Sequence, residues 1–176
     1  SAMIELQAKG PIHEIRLARP PVNALNPELL AALQAAVEAA PGNGARAIVL
    51  SGGPNVFSGG LDVPYLLGLD AVALKAAWRD FFDAAIAIAR SPIPVVAAIA
   101  GHSPAGGCVL SPFCDYRVMA RSPDPAKPFR IGLNEVQVGL AVPDGIQHLM
   151  RRVVGTYRAE RLLVSGAMIE SADALA

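Results

Sequence analysis

The sequence predicts an α/β fold, a mostly parallel sheet with helical crossovers, on three observations. Short, almost unbroken apolar runs recur at Ala45 to Leu50 and Val95 to Ala100. Stretches whose apolar residues fall at helical spacing alternate with them. Small-residue loops follow the apolar runs, at Ser51 to Gly60 and Gly101 to Gly107. Parallel strands covered on both faces read as continuous apolar runs, and each needs a crossover to reach the next. The 176 residues fit one domain, 1–176, long enough to close a core.

The elements follow in chain order. Ile12 to Arg19 alternates as a half-exposed strand, with Met3 to Leu6 as its hairpin partner across Gly10-Pro11. Arg19-Pro20-Pro21 ends that strand, since proline donates nothing to a ladder. Asn26-Pro27-Glu28 opens a helix: an N-cap, a first-turn proline and an acid at the positive end. Leu29, Leu30, Leu33, Ala36 and Val37 form its apolar stripe, and Pro41 to Gly44 stops it. Asp70 caps a second helix running to Arg90, with Trp78, Phe81, Phe82, Ala85 and Ile86 at core spacing. A short helix follows Gly107, Cys114 to Ala120 is a strand, and Ser122 to Pro128 is a proline-rich surface excursion. Gly145 to Val154 and Tyr157 to Ser165 are helical, with Asp144 read as an N-cap.

Composition excludes several classes. Lys plus Arg equals Asp plus Glu at 15 each, so no electrostatic footprint for nucleic acid exists. No apolar run approaches the roughly 18–20 residues that span a bilayer. Without a secretory pattern at the N-terminus, the expected compartment is cytoplasmic. Cys108 and Cys114 read as buried thiols, and His13, His102 and His148 share no ligand spacing with them, so no metal site is expected.

Two loops carry candidate chemistry: Phe57-Ser-Gly-Gly-Leu-Asp62 and Pro104-Ala-Gly-Gly107. Loops at the carboxyl ends of parallel strands are where such folds bind ligands, and paired glycines let N–H groups approach an anionic oxygen. Neither is a dinucleotide fingerprint or a Walker loop. Gly132-Leu-Asn-Glu-Val-Gln-Val-Gly139 sets one carboxylate, Glu135, among apolar neighbours, where burial would raise its pKa toward that of a general base.

The segment Ile99-Ala-Gly-His-Ser-Pro-Ala-Gly-Gly-Cys-Val-Leu-Ser-Pro-Phe-Cys-Asp-Tyr-Arg-Val-Met-Ala120 resembles the hallmark of the enoyl-CoA hydratase/isomerase, or crotonase, family. Arg19-Pro-Pro-Val-Asn-Ala-Leu-Asn26 and Phe57-Ser-Gly-Gly-Leu-Asp62 resemble its other signatures, in the family's order. The resemblance implies a crotonase-like spiral of ββα units, acyl-CoA as substrate with no separate cofactor, and a homotrimer or dimer of trimers. It implies oxyanion-hole N–H groups at Leu61 and Gly106, and a CoA border along Ser58, Gly59, Gly60, Leu61 and Asp62. Of the family's two glutamate positions, one is Val109 here and the other is Glu135. That pattern is similar to the family's delta-3,delta-2-enoyl-CoA isomerases. Family members continue into C-terminal helices, so a missing or truncated C-terminal helical region is expected. The alternatives are an enoyl-CoA hydratase pairing Glu135 with Asp144, and a non-catalytic acyl-CoA-binding protein.

Overall fold

The computed structural model describes residues 2–175. A hairpin of β1 (Ile4–Lys9) and β2 (Ile12–Leu17) leads to α1 (Pro27–Ala39) and β3 (Ala47–Ser51). Then come a one-turn helix α2 (Val63–Leu67), the long α3 (Ala71–Ala89) and β4 (Val95–Ile99). The two-residue strand β5 (Ser103–Pro104) leads directly into α4 (Gly106–Leu110) and a 3-10 turn, Ser111–Phe113. The remaining elements are β6 (Tyr116–Met119), β7 (Arg130–Gly132), a 3-10 turn at Glu135–Val138, α5 (Asp144–Val154), α6 (Thr156–Ser165), β8 (Ile169–Glu170) and α7 (Ser171–Leu175).

The main sheet runs β1-β2-β3-β4-β6, antiparallel only within the first hairpin and parallel thereafter. α1 and α3 pack against one another over this sheet. Both begin where their side-chain caps place them: the Asn26 carboxamide accepts from the Leu29 N–H and the Asp70 carboxylate from that of Ala73. Leu29, Leu30, Leu33 and Val37 of α1 meet Ile15, Ile48, Leu50 and Ala97 of the sheet in one buried cluster. Each Leu, Ile or Val among them contributes about 1.5–3 kcal/mol on full burial.

A second, small sheet orders β5-β7-β8, with β5 parallel to β7 and β7 antiparallel to β8. Its register sets Ser103 against Ile131 and Pro104 against Gly132. This pairing brings the Gly132–Gly139 segment beside the Pro104–Gly107 loop.

Several expectations are corrected. Asp144 is the first residue of α5, not its N-cap: Pro143 holds that place, and its carbonyl accepts from the Ile146 and Gln147 N–H groups. The exposed Asp144 carboxylate only adds negative charge to the first turn. The strand expected from Cys114 begins at Tyr116, because Asp115 turns back to accept from and donate to the Val95 backbone. Of the apolar stripe on α3, Phe81 and Ala85 are buried, but Ile86 lies exposed. Trp78 and Phe82 are partly exposed and stack on one another, ring centroids 6.1 Å apart.

Candidate active site

Two loop tips meet at the start of α4. Gly60 has φ +93, a conformation that favours glycine, and a Cβ there would lie 3.1 Å from the Gly106 nitrogen. A Cβ on Gly106 would lie 3.2 Å from the Leu61 nitrogen. The amides of Leu61 and Gly106 are therefore neighbours across the junction of the two loops. Among the described residues, neither N–H donates to a protein acceptor.

Their directions are set by the peptide planes that carry them. The Gly60 carbonyl accepts from the Leu25 N–H at 2.8 Å, and in a trans peptide the Leu61 N–H points the opposite way. The Ala105 carbonyl accepts from the Val109 N–H at 2.9 Å inside α4, which sends the Gly106 N–H out of that helix's open end. Ala105 itself has φ +47, a strained conformation for a residue with a Cβ, and its N–H is held by the Gly132 carbonyl at 2.9 Å. Because α4 spans only five residues, its macrodipole is small, and the aimed N–H groups carry the anion-binding capacity.

Glu135 begins the 3-10 turn three residues beyond Gly132. Its side chain is partly buried, and Oε2 is fully enclosed with no hydrogen-bond partner among the described residues. Desolvation raises its pKa above the ordinary carboxylate range, opposed in part by its own backbone N–H. The turn is anchored from the far side: Gln137 Nε2 donates to the Gly166 carbonyl at 2.8 Å. Cys108 lies close enough to feel the Glu135 charge. Burial, then that charge, push its thiol up to about 12, so it stays protonated at neutral pH. Val109, at the other glutamate position of the resemblance, is 2% exposed and apolar in its surroundings.

The residues expected to border CoA divide. Gly59 is exposed, and Leu61 and Asp62 are partly exposed, whereas Ser58 and Gly60 are buried. The Ser58 hydroxyl is spent inside the protein, donating to the Asn23 carbonyl and accepting from the Gly60 N–H. Asp62 caps α2 through the Tyr65 N–H and pairs with Arg19 at 2.8 Å. Asn23 and Arg19 thus belong to the loop's construction. Sequence reasoning quoted their motif but gave neither a task; a buried polar residue between prolines and a helix cap was the available signal. No three of His, Cys, Asp and Glu gather at a metal-binding spacing among the described residues.

Residues 7–176 match the family described as enoyl-CoA hydratase/isomerase. The chain belongs to this family. It is 32% identical over 175 residues to enoyl-CoA delta isomerase 1, mitochondrial, of Homo sapiens, covering 98% of this chain and 57% of that protein. It is equally 32% identical over 171 residues to a probable enoyl-CoA hydratase of Rhizobium meliloti (strain 1021), covering 96% of this chain and 63% of that one. The crystal structure of human mitochondrial delta3-delta2-enoyl-CoA isomerase superposes with a TM-score of 0.93 at 30% identity, over 99% of this chain and 67% of that chain. The crotonase-like α/β fold expected from the motifs is the fold of this chain. The chain spans about three fifths of the length of the curated relatives it matches. No helix among the described residues is long and apolar enough to cross a membrane.

Proposed function

We propose that this chain forms the core of an acyl-CoA enzyme that shifts a double bond, converting a 3-enoyl-CoA to a 2-enoyl-CoA by a single-glutamate proton shuttle. The thioester oxygen accepts hydrogen bonds from the Leu61 and Gly106 N–H groups. Ionised Glu135 removes a proton from the α carbon, and the electron pair delocalises to the thioester oxygen as a dienolate. The same carboxyl returns the proton to the γ carbon, the double bond forms between α and β carbons, and Glu135 ends as it began. Such preorganised donors stabilise the charge only as it develops, worth roughly 10²–10³ in rate per donor.

One observation carries the isomerase reading: Glu135 offers a buried, unpartnered oxygen while the second acid position is the buried, apolar Val109. Hydration needs a group to activate water and a source for the added proton. Asp144, the candidate second acid, is exposed at the start of α5. The hydratase reading retains one support, the equal identity to a probable enoyl-CoA hydratase. A non-catalytic binder would gain nothing from a partly buried carboxylate. The same family reading carries self-association as a homotrimer or dimer of trimers, which light scattering tests.

The test is a paired rate assay on 3-enoyl-CoA and 2-enoyl-CoA, with wild type and Glu135→Gln. The expected result is wild-type isomerisation faster than hydration, and isomerisation reduced by roughly 10²–10⁴ in the variant. Unchanged isomerisation in Glu135→Gln overturns the mechanism, and faster hydration in wild type selects the alternative.

A further inference from the structure

We infer that Asn23 and Ser58 are positioning residues for the oxyanion hole: they lock the Phe57–Asp62 loop onto the Arg19–Leu25 segment and so fix the direction of the Leu61 N–H. The inference rests on the reading of Leu61 as an oxyanion donor.

The Leu61 N–H has no say in its own direction. It shares a rigid peptide plane with the Gly60 carbonyl, so whatever holds Gly60 aims Leu61. Three bonds hold this stretch to Leu25 and Ser58. The Gly60 carbonyl accepts from Leu25 at 2.8 Å, the Asp62 N–H donates to the Leu25 carbonyl at 3.1 Å, and the Gly60 N–H donates to Ser58 Oγ at 3.1 Å. Ser58 is fully buried, and its hydroxyl proton goes to the Asn23 carbonyl at 2.8 Å. The hydroxyl therefore transmits the position of residue 23 to residue 60.

Asn23 is 5% exposed and sits at φ +51, which its short amide side chain tolerates. That side chain uses both ends: Oδ1 accepts from the Arg19 N–H at 2.8 Å, and Nδ2 donates to the Phe57 carbonyl at 3.1 Å. The Gly59 N–H, donating to the Val22 carbonyl at 2.7 Å, closes the same seam. At its edge Arg19 bonds the Ala24 carbonyl at 2.9 Å and the Asp62 carboxylate at 2.8 Å. Residues 34 and 35 positions apart in sequence are thereby joined by buried polar bonds, each of which leaves an unsatisfied group if cut.

Ser58→Ala and Asn23→Asp test the assignment. The first strands the Gly60 N–H and the Asn23 carbonyl. The second keeps size and the acceptor for Arg19 but sets an oxygen against the Phe57 carbonyl. A bound 3-ketoacyl-CoA ionises at C2 to an enolate whose charge is shared between the ketone oxygen and the same thioester oxygen. Its near-ultraviolet band, read at ligand saturation and fixed pH, reports oxyanion stabilisation per bound ligand rather than the amount of folded protein. The expected result is a roughly tenfold or greater fall in bound enolate relative to the ketone. It comes with a roughly ten- to hundredfold fall in kcat and KM within about twofold of wild type, since small misplacement of a preorganised group is costly. If Ser58→Ala does not fold, Asn23→Asp and Arg19→Lys give the same readout. Variants that lose only thermal stability or only KM, with the enolate fraction of wild type, overturn the positioning role. A wild type that binds the ligand without stabilising its enolate overturns the oxyanion reading itself, an outcome distinct because wild type then has no signal to lose.

Discussion

Gly106 and the Leu61 amide approach so closely that a Cβ on residue 106 would lie 3.2 Å from the Leu61 nitrogen. The same Cβ would meet the Gly60 Cα at 3.3 Å and Leu25 Cδ1 at 3.3 Å. Two of these neighbours are backbone, which cannot swing aside as a side-chain end can. Gly106→Ala must therefore spread the two loops, and with them the paired N–H groups. The expected outcome is loss of roughly 10²–10³ in isomerase turnover, the worth of one oxyanion donor, in a protein whose circular dichroism is unchanged.

Gly107 packs still more tightly than Gly106. A Cβ there would sit 2.3 Å from the Ser58 carbonyl oxygen and 3.1 Å from the Ser58 Cβ. Ser58 is fully buried, so the clash has no exit to solvent. Gly107→Ala is expected to cost about 1–3 kcal/mol in stability, seen as a lower urea midpoint, and to lower turnover of the folded protein as well, because the clash displaces Ser58.

Glu135 couples pH to stability and, on the proposed mechanism, to rate. Desolvation lifts its carboxyl above the ordinary value of 4.5 in the folded protein. The native state therefore binds this proton more tightly than the unfolded chain. The stability this proton contributes is fully present below about pH 4.5 and is lost as pH rises through the folded pKa. Glu135→Gln removes the penalty, so the variant should be more stable than wild type at neutral pH, with the difference vanishing in acid. Urea unfolding across a pH series checks this. On the proposed mechanism, wild-type isomerisation should rise with pH through the same folded pKa, because there the ionised form acts as the base.

Local signals account for the elements that were legible in sequence. Asn26-Pro27 and Asp70 place two helix starts to the residue, because a cap acts within one turn. The strands Ala47–Ser51 and Val95–Ile99 declare themselves as apolar runs. The second sheet was not legible: Ser103–Pro104 and Ile169–Glu170 are two residues each, too short for any periodicity. Helix α2 was missed because its cap, Asp62, lay inside a loop motif and the helix is only five residues long. At the site, Leu61 and Gly106 came from motif resemblance and Glu135 also from its apolar neighbours, whereas the closeness of the Leu61 and Gly106 amides is a tertiary contact that no local pattern shows. The Asn23–Ser58 bond spans 35 positions, and nothing in local spacing announces it.

Val109 offers the sharpest test of why one carboxylate stands where hydration would want two. It is 2% exposed on the first turn of α4, directly after Cys108, whose thiol feels the Glu135 charge. Val109→Glu introduces a second carboxyl at a buried position of the helix that also carries Cys108. Two such groups cannot both ionise cheaply, so the pair should hold one proton between them at neutral pH and titrate as a unit. A protonated partner is what hydration requires: one carboxylate activates water while the other delivers the proton to the α carbon. The expected outcome is hydration of a 2-enoyl-CoA above the wild-type rate, with isomerisation reduced because Glu135 is protonated for more of the time. The pH–rate profile should become bell-shaped, one limb for each ionisation. Val109→Gln matches the new side chain in size but carries no acid, and it should leave hydration at the wild-type level. Equal hydration in the Glu and Gln variants would show that residue 109 does not decide between the two reactions.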